Sequence, residues 1–148
     1  MPVLLVQAFA SLALTGLIWC IQVVHYPLFA AVGRDEFTRY EADHARLITL
    51  VVGPLMLVEL AAVLWLAAVR PVGVPAWMAW TGLALVAAIW LSTAAIQVPC
   101  HAKLAAGFDA EVHARLVSSN WIRTVAWTAR GLLALAMIAA WTRASRVG

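Results

Sequence analysis

The 148-residue chain is 65% apolar and only 11% charged, with a mean hydropathy of +0.92. A soluble domain needs roughly a quarter charged residues to cover its surface, so this composition excludes one and points to an integral membrane protein. The net charge of +3 implies no nucleic-acid partner, because the basic residues flank apolar runs, where Arg and Lys anchor helices against lipid headgroups.

Residues 1–33 contain no Asp, Glu, Lys or Arg, residues 47–69 only Glu59, residues 71–102 none, and residues 124–141 only Arg130. Crossing ~30 Å of hydrocarbon takes about 20 residues at ~1.5 Å each, so the four runs predict four transmembrane helices. The first is expected over 3–29, with Pro27 in its last turn and Gly33 in the turn that follows. No Lys or Arg precedes it, and Gln22 and His25 lie within it, so it is expected to be retained rather than removed as a signal.

The second helix is expected to start near Asp35 as an amphipathic surface stretch carrying Asp35, Glu36, Arg39, Glu41, Asp43 and Arg46. It then enters hydrocarbon at Leu47 and runs to Val69, with Gly53 and Pro54 as the kink. Residues 70–75 form a turn on the opposite face. The third helix is expected over 76–98, stopped or bent by Pro99. Asp109 caps a second surface segment over 111–119, which leads into a fourth helix over 120–143. Cys20 and Cys100 show no metal or redox spacing and read as inert thiols.

Two phrases occur in each half of the chain. Ile21-Gln22-Val23 precedes His25 and then His44-Ala45-Arg46-Leu47; Ile96-Gln97-Val98 precedes His101 and then His113-Ala114-Arg115-Leu116. Duplication of one membrane hairpin accounts for the match. The chain then reads as a single all-α domain, 1–148. It is an integral membrane four-helix bundle built from two hairpin repeats in parallel topology, about 1–69 and 75–143. Alternation of the connections places all four histidines at one membrane surface. That surface also carries Arg34, Arg39, Arg46, Lys103, Arg115 and Arg123 against three basic residues opposite, which favours a cytoplasmic histidine face in a bacterial inner membrane.

The polar residues fall on coherent helical stripes: Trp19, Gln22 and His25; Glu41 and His44; Trp90, Gln97 and His101; Asn120, Arg123, Trp127 and Arg130. Polar side chains at such depth face the bundle interior and pair there. Three readings of this layer remain open. In one, His25, Glu41, His44 and His101, with His113 as a further candidate, ligate a metal ion or a haem. Glu41-x-x-His44 is the spacing that sets a carboxylate and an imidazole on one helix face, and two symmetry-related histidines are what a bis-imidazole haem needs. In another, the layer binds a lipid-soluble molecule such as a quinone, with Gln22, Tyr26, Gln97, Asn120, Arg123 and Trp127 as binding groups. In the last, amphipathic rings simply sit at headgroup level. Deeper in the chain, Glu59 lies about 18 Å along its helix from Leu47 and Arg130 about 13–14 Å from Trp121, so the two are expected to form a buried ion pair.

The pattern Gln22-x-x-His25-Tyr26-Pro27-x-Phe29, Tyr40-Glu41-x-x-His44, Pro54-x-Met56-x-x-Glu59, Gln97-x-Pro99-x-His101 and Asn120-Trp121-x-Arg123-Thr124-x-x-Trp127-x-x-Arg130 resembles a group of small, largely uncharacterised bacterial four-span membrane proteins along nearly the whole chain. More distantly it resembles the anthrone-oxygenase-like family, through size, span count and a His-x-Pro motif near the end of the first helix. The distant resemblance implies oxygenation of an aromatic or hydrophobic substrate. The expectation is therefore a membrane-embedded oxidoreductase or oxygenase-like protein, with His25, His44 and His101 as ligands or acid-base groups and a hydrophobic small molecule as ligand. The alternative is a cofactor-binding or packing subunit of a larger energy-transducing complex, and homo-oligomers are compatible with either.

Overall fold

The computed structural model describes residues 2–147. It contains four long helices, α1 (Pro2–Ala31), α2 (Arg34–Ala68), α3 (Ala76–Leu104) and α4 (Ala110–Val147), and no strand among the described residues. All four are long and apolar enough to cross a membrane, as the charge-free runs predict. The result is an all-helical protein of the multi-pass membrane type.

Each helix packs along two others: α1 against α2 and α4, and α3 against α2 and α4. The pairs α1/α3 and α2/α4 thus lie across the diagonals. Consecutive helices run antiparallel, as shown by side-chain bonds from early α1 to late α4 (Gln7 to Met137) and from late α1 to early α2 (His25 to His44). Lipid offers no hydrophobic drive for one apolar helix to join another, so close backbone approach and interhelical hydrogen bonds must hold the bundle. The α1/α4 seam shows both. Thr15 Oγ1 donates to the Trp127 carbonyl at 2.8 Å, and a Cβ on Gly131 would stand 3.0 Å from Thr15 Oγ1. At the surface opposite the histidines, Gly73 adopts φ +84° against α4, where a Cβ would come 2.3 Å from that of Ala144. Only glycine fits this turn.

Two helices depart from regular geometry near their prolines. Pro27 and Pro99 carry no N–H, and α1 and α3 each widen into a π-helical turn just before them, Ile21–His25 and Thr93–Gln97. Tyr26 N–H bonds to the Ile21 carbonyl and Val98 N–H to that of Thr93, each five residues back. The expectation that the third helix stops at Pro99 is corrected accordingly. The extra residue of the π turn absorbs the missing bond, and α3 continues to Leu104. Pro54 likewise lies inside α2 without ending it. At the start of α4, Asp109 Oδ1 accepts the N–H groups of Glu111 and Val112 at 2.9 and 3.0 Å, which is the expected cap.

Candidate functional site

The two π turns rotate the C-terminal parts of α1 and α3 so that Gln22, Tyr26, Gln97 and Cys100 are buried. Tyr26 and His101 meet there: Tyr26 Oη lies 2.9 Å from His101 Nε2, and His101 Nδ1 lies 2.5 Å from Glu41 Oε1. Arg123 completes the chain, with Nη2 3.1 Å from Tyr26 Oη. A guanidinium can only donate, so Tyr26 Oη accepts from Arg123; the Glu41 carboxylate beside His101 Nδ1 favours a proton there, which leaves Nε2 to accept the phenol hydrogen. His101 then carries its proton on Nδ1 and donates it to Glu41, whose side chain is fully buried. The order Arg123, Tyr26, His101, Glu41 is a directed chain of hydrogen bonds with a carboxylate-oriented imidazole at its centre.

Behind this chain, Asn120 Oδ1 accepts from Arg123 Nε at 2.9 Å and from Nη2 at 2.5 Å, Asn120 Nδ2 donates to Gln22 Oε1 at 2.9 Å, and Gln22 Nε2 donates to the Val117 carbonyl at 3.1 Å. Gln22 and Asn120 therefore fix the guanidinium and do not reach the cavity beside it. Gln97 is held by Ser92 and Ser119, and the His113 ring donates from Nε2 to the Tyr26 carbonyl at 2.8 Å.

That cavity measures about 260 Å³, and Tyr26, Gln97, His101, Arg123 and Trp127 stand in its wall among Leu14, Ile18, Ile21, Val52, Met56 and other apolar groups. Thr49 of α2 and Val98 of α3 also line it, and both are exposed on the outside of the bundle. The cavity therefore opens sideways, between α2 and α3, towards the hydrocarbon. The end of the bundle above it is shut: Phe29 and Phe37 are 0% exposed and 6.1 Å apart, and Phe37 meets Phe108 at 5.0 Å.

His25 and His44 do not line this cavity. His25 Nε2 pairs with His44 Nδ1 at 2.8 Å, and both border a shallower pocket with Tyr40, Asp43 and Leu47. Among the described residues no group of three His, Cys, Asp or Glu side chains is arranged to hold a metal ion. In this structure the set of His25, Glu41, His44 and His101 is divided into two pairs, with Glu41 Oε2 and His44 Nε2 buried and unpartnered. His25 and His44 face each other, Glu41 faces His101, and the second nitrogen of His101 is taken by Tyr26, so no common point has free donor atoms from all four. The bis-imidazole haem arrangement meets the same obstacle at His101.

Trp19 is also corrected. It is 42% exposed, and its Nε1 donates to Thr128 at 3.0 Å along the outer α1/α4 seam, so it does not share the inward face of Gln22.

The deep pair is present, with Arg130 Nε 3.8 Å from Glu59 Oε1 and both side chains within 1% of full burial. Each has nearer partners. Ser11 Oγ donates to Glu59 Oε1 at 2.6 Å, Trp127 Nε1 donates to Oε2 at 3.0 Å, and Arg130 Nη2 donates to Gln7 Oε1 at 2.7 Å. Gln7, Ser11 and Thr15 are absent from the sequence-based site, although their four-residue spacing marks a polar stripe on α1 that leads towards Gln22 and Tyr26. Compared with protein-family models, curated proteins and solved structures, the chain matches none.

Proposed function

We propose that this protein is a membrane-embedded oxidoreductase or oxygenase-like protein that draws a hydrophobic small molecule from the bilayer and exchanges protons with it. The observation that carries the reading is the Arg123, Tyr26, His101 and Glu41 relay in the wall of an apolar cavity that opens between α2 and α3. A polar network buried at this depth is stabilising where its members are partnered, and this one draws one side chain from each of the four helices, with Glu41 Oε2 left unpartnered. Tyr26 stands where it can give or take a proton at a bound oxygen, His101 is its base, Glu41 holds the imidazole in one tautomer, and Arg123 favours negative charge on the phenol or the ligand. In this reading such protons reach water through the His25 and His44 pair, whose nearer ring, His44, lies 5.3 Å from that of His101.

The same reading places the chain in a bacterial inner membrane, with the relay at the cytoplasmic side on the excess of Arg and Lys there. It also keeps the two-hairpin origin. In support, each π turn ends two residues before a proline, at His25 before Pro27 and at Gln97 before Pro99.

The test uses the protein purified in mild detergent, titrated with 2-methyl-1,4-naphthoquinone by calorimetry. Gly53 lines the cavity, and a Cβ there would meet only Thr49 Cγ2 at 3.8 Å, so Gly53→Trp should fill the cavity while the bundle still melts cooperatively. Saturable binding that this substitution abolishes supports the proposal. Absence of binding to the unsubstituted protein, or binding untouched by Gly53→Trp, rejects it.

A further inference from the structure

The two His-Ala-Arg-Leu phrases differ in the charge beside their arginines. Three residues before Arg46 stands Asp43, which pairs with it at 3.2 Å. Three residues before Arg115 stands Val112. With an apolar group in the acid's place, Arg115 has no ion pair among the described residues, not even with Glu111 one turn earlier. Lys103, in the last turn of α3, is unpaired in the same way. Both cations are exposed.

Lys103 and Arg115 flank one groove between α3 and α4, whose wall also includes Val112, Pro99, Ile96 and Ala95 and no acidic side chain. It shares no residue with the cavity between α2 and α3. Ala95 and Pro99 are exposed on the outside of the bundle, so the groove faces lipid. At ~1.5 Å per residue, Ala95 lies about 12 Å along α3 from Lys103. The cations therefore stand where the helices leave the hydrocarbon, and the apolar end runs down into it. The groove encloses about 50 Å³, well below the roughly 150 Å³ that holds benzene. It has no room for a compact ring, but a slim chain can lie along it.

The geometry points to an anionic phospholipid as the occupant, its phosphate received by Lys103 and Arg115 and one acyl chain laid along Val112, Pro99, Ile96 and Ala95. Charge complementarity selects the headgroup. Two unpaired cations with no acid in the wall favour a net negative group, and basic pockets between membrane helices hold such headgroups. A zwitterionic headgroup brings its own cation to the same place and gains less.

Native mass spectrometry of the protein in mild detergent, titrated with dioleoyl phosphatidylglycerol or dioleoyl phosphatidylcholine, reads the first lipid bound. The anionic lipid should bind more tightly. Lys103→Gln and Arg115→Gln should each weaken it about fivefold, the worth of one basic residue near an anionic surface, and leave the zwitterionic lipid unchanged. Arg39→Gln removes an equally exposed cation outside the groove and should change neither. Ala95→Phe, which fills the apolar end, should weaken both lipids, and sn-glycerol 3-phosphate, an anionic head without chains, should displace neither. Because the ratio of the two affinities is read within each variant, partial unfolding does not imitate a loss of headgroup preference. An equal loss of preference in Arg39→Gln would reduce the effect to diffuse surface charge and overturn the proposal. So would a preference that survives Lys103→Gln with Arg115→Gln, displacement by glycerol phosphate, or binding untouched by Ala95→Phe.

Discussion

Tyr26 Oη lies 2.9 Å from His101 Nε2, joining α1 to α3 across the diagonal of the bundle. The two helices make no extensive backbone contact, so side chains span the gap, and the bond has a defined direction because the Glu41 carboxylate favours a proton on His101 Nδ1, which leaves Nε2 to accept. The expected consequence is that His101 is the Nδ1–H tautomer at neutral pH, donating to Glu41. Nitrogen-15 shifts of labelled histidine, assigned by comparison with His101→Phe, check it. An Nε2–H imidazole would reverse the relay and remove Tyr26 as a proton donor to His101.

Replacing Tyr26 by Phe takes a donor from His101 and an acceptor from Arg123 in a buried site, so a loss of about 1–3 kcal/mol is expected. Because the two side chains are bonded, Tyr26→Phe and His101→Phe should not add. A double-mutant cycle read from melts in detergent should show a coupling of about 0.5–1.5 kcal/mol. A coupling near zero would mean that the 2.9 Å contact contributes nothing measurable to stability.

Much of this arrangement is legible in the residues alone, and the parts that are not share a cause. Charge-free runs mark the four spans because hydrocarbon tolerates little else, and Asp109 announces the start of α4 by its capping chemistry. Glu41 and His44, three apart on one helix, suggest a joint ligand pair, yet Glu41 turns to His101, sixty residues away, and His44 turns to His25. Sequence spacing tells which side chains share a face; it does not tell which neighbour in the next helix they meet. Trp19 fails for a related reason, since the π turn at Ile21–His25 lies between it and Tyr26 and shifts the register of the face. Nothing in the run Ile-Gln-Val-Val-His announces that turn except Pro27, which calls equally for a kink.

Glycines at two depths should respond oppositely to alanine. A Cβ on Gly82 would stand 3.3 Å from Arg130 Nη1 and 3.5 Å from Val63 Cγ2, and Gln7 holds the guanidinium against retreat at 2.7 Å. Gly82→Ala is expected to cost about 1–3 kcal/mol through overpacking. Gly16 is exposed in the middle of α1 with no atom within 4 Å of the added carbon, and Gly16→Ala should stabilise by about 0.5–1 kcal/mol through helix propensity. Melting temperatures of the two variants should move to opposite sides of the parent. A neutral Gly82→Ala would show that Arg130 is free to shift.

Glu59 and Arg130 form the second buried polar layer, and their partners predict how it fails. Glu59→Leu removes the one carboxylate near Arg130 and strands Ser11 and the Trp127 indole, leaving the guanidinium with Gln7 as its acceptor. An uncompensated buried charge of this kind costs about 3–5 kcal/mol, and replacing both members of a pair by apolar groups of similar volume costs far less. Glu59→Leu with Arg130→Met should therefore melt above Glu59→Leu alone. Glu59→Gln separates charge from hydrogen bonding, because its amide oxygen still accepts from Ser11 or Trp127, and it should fall between the parent and Glu59→Leu. Melts of the three variants in one detergent decide the matter. If the double variant is no more stable than Glu59→Leu, the charge on Arg130 is not what Glu59 compensates. Its bonds to Ser11 and to Trp127, the residue it shares with the cavity wall, would then be the reason the carboxylate is held at this depth.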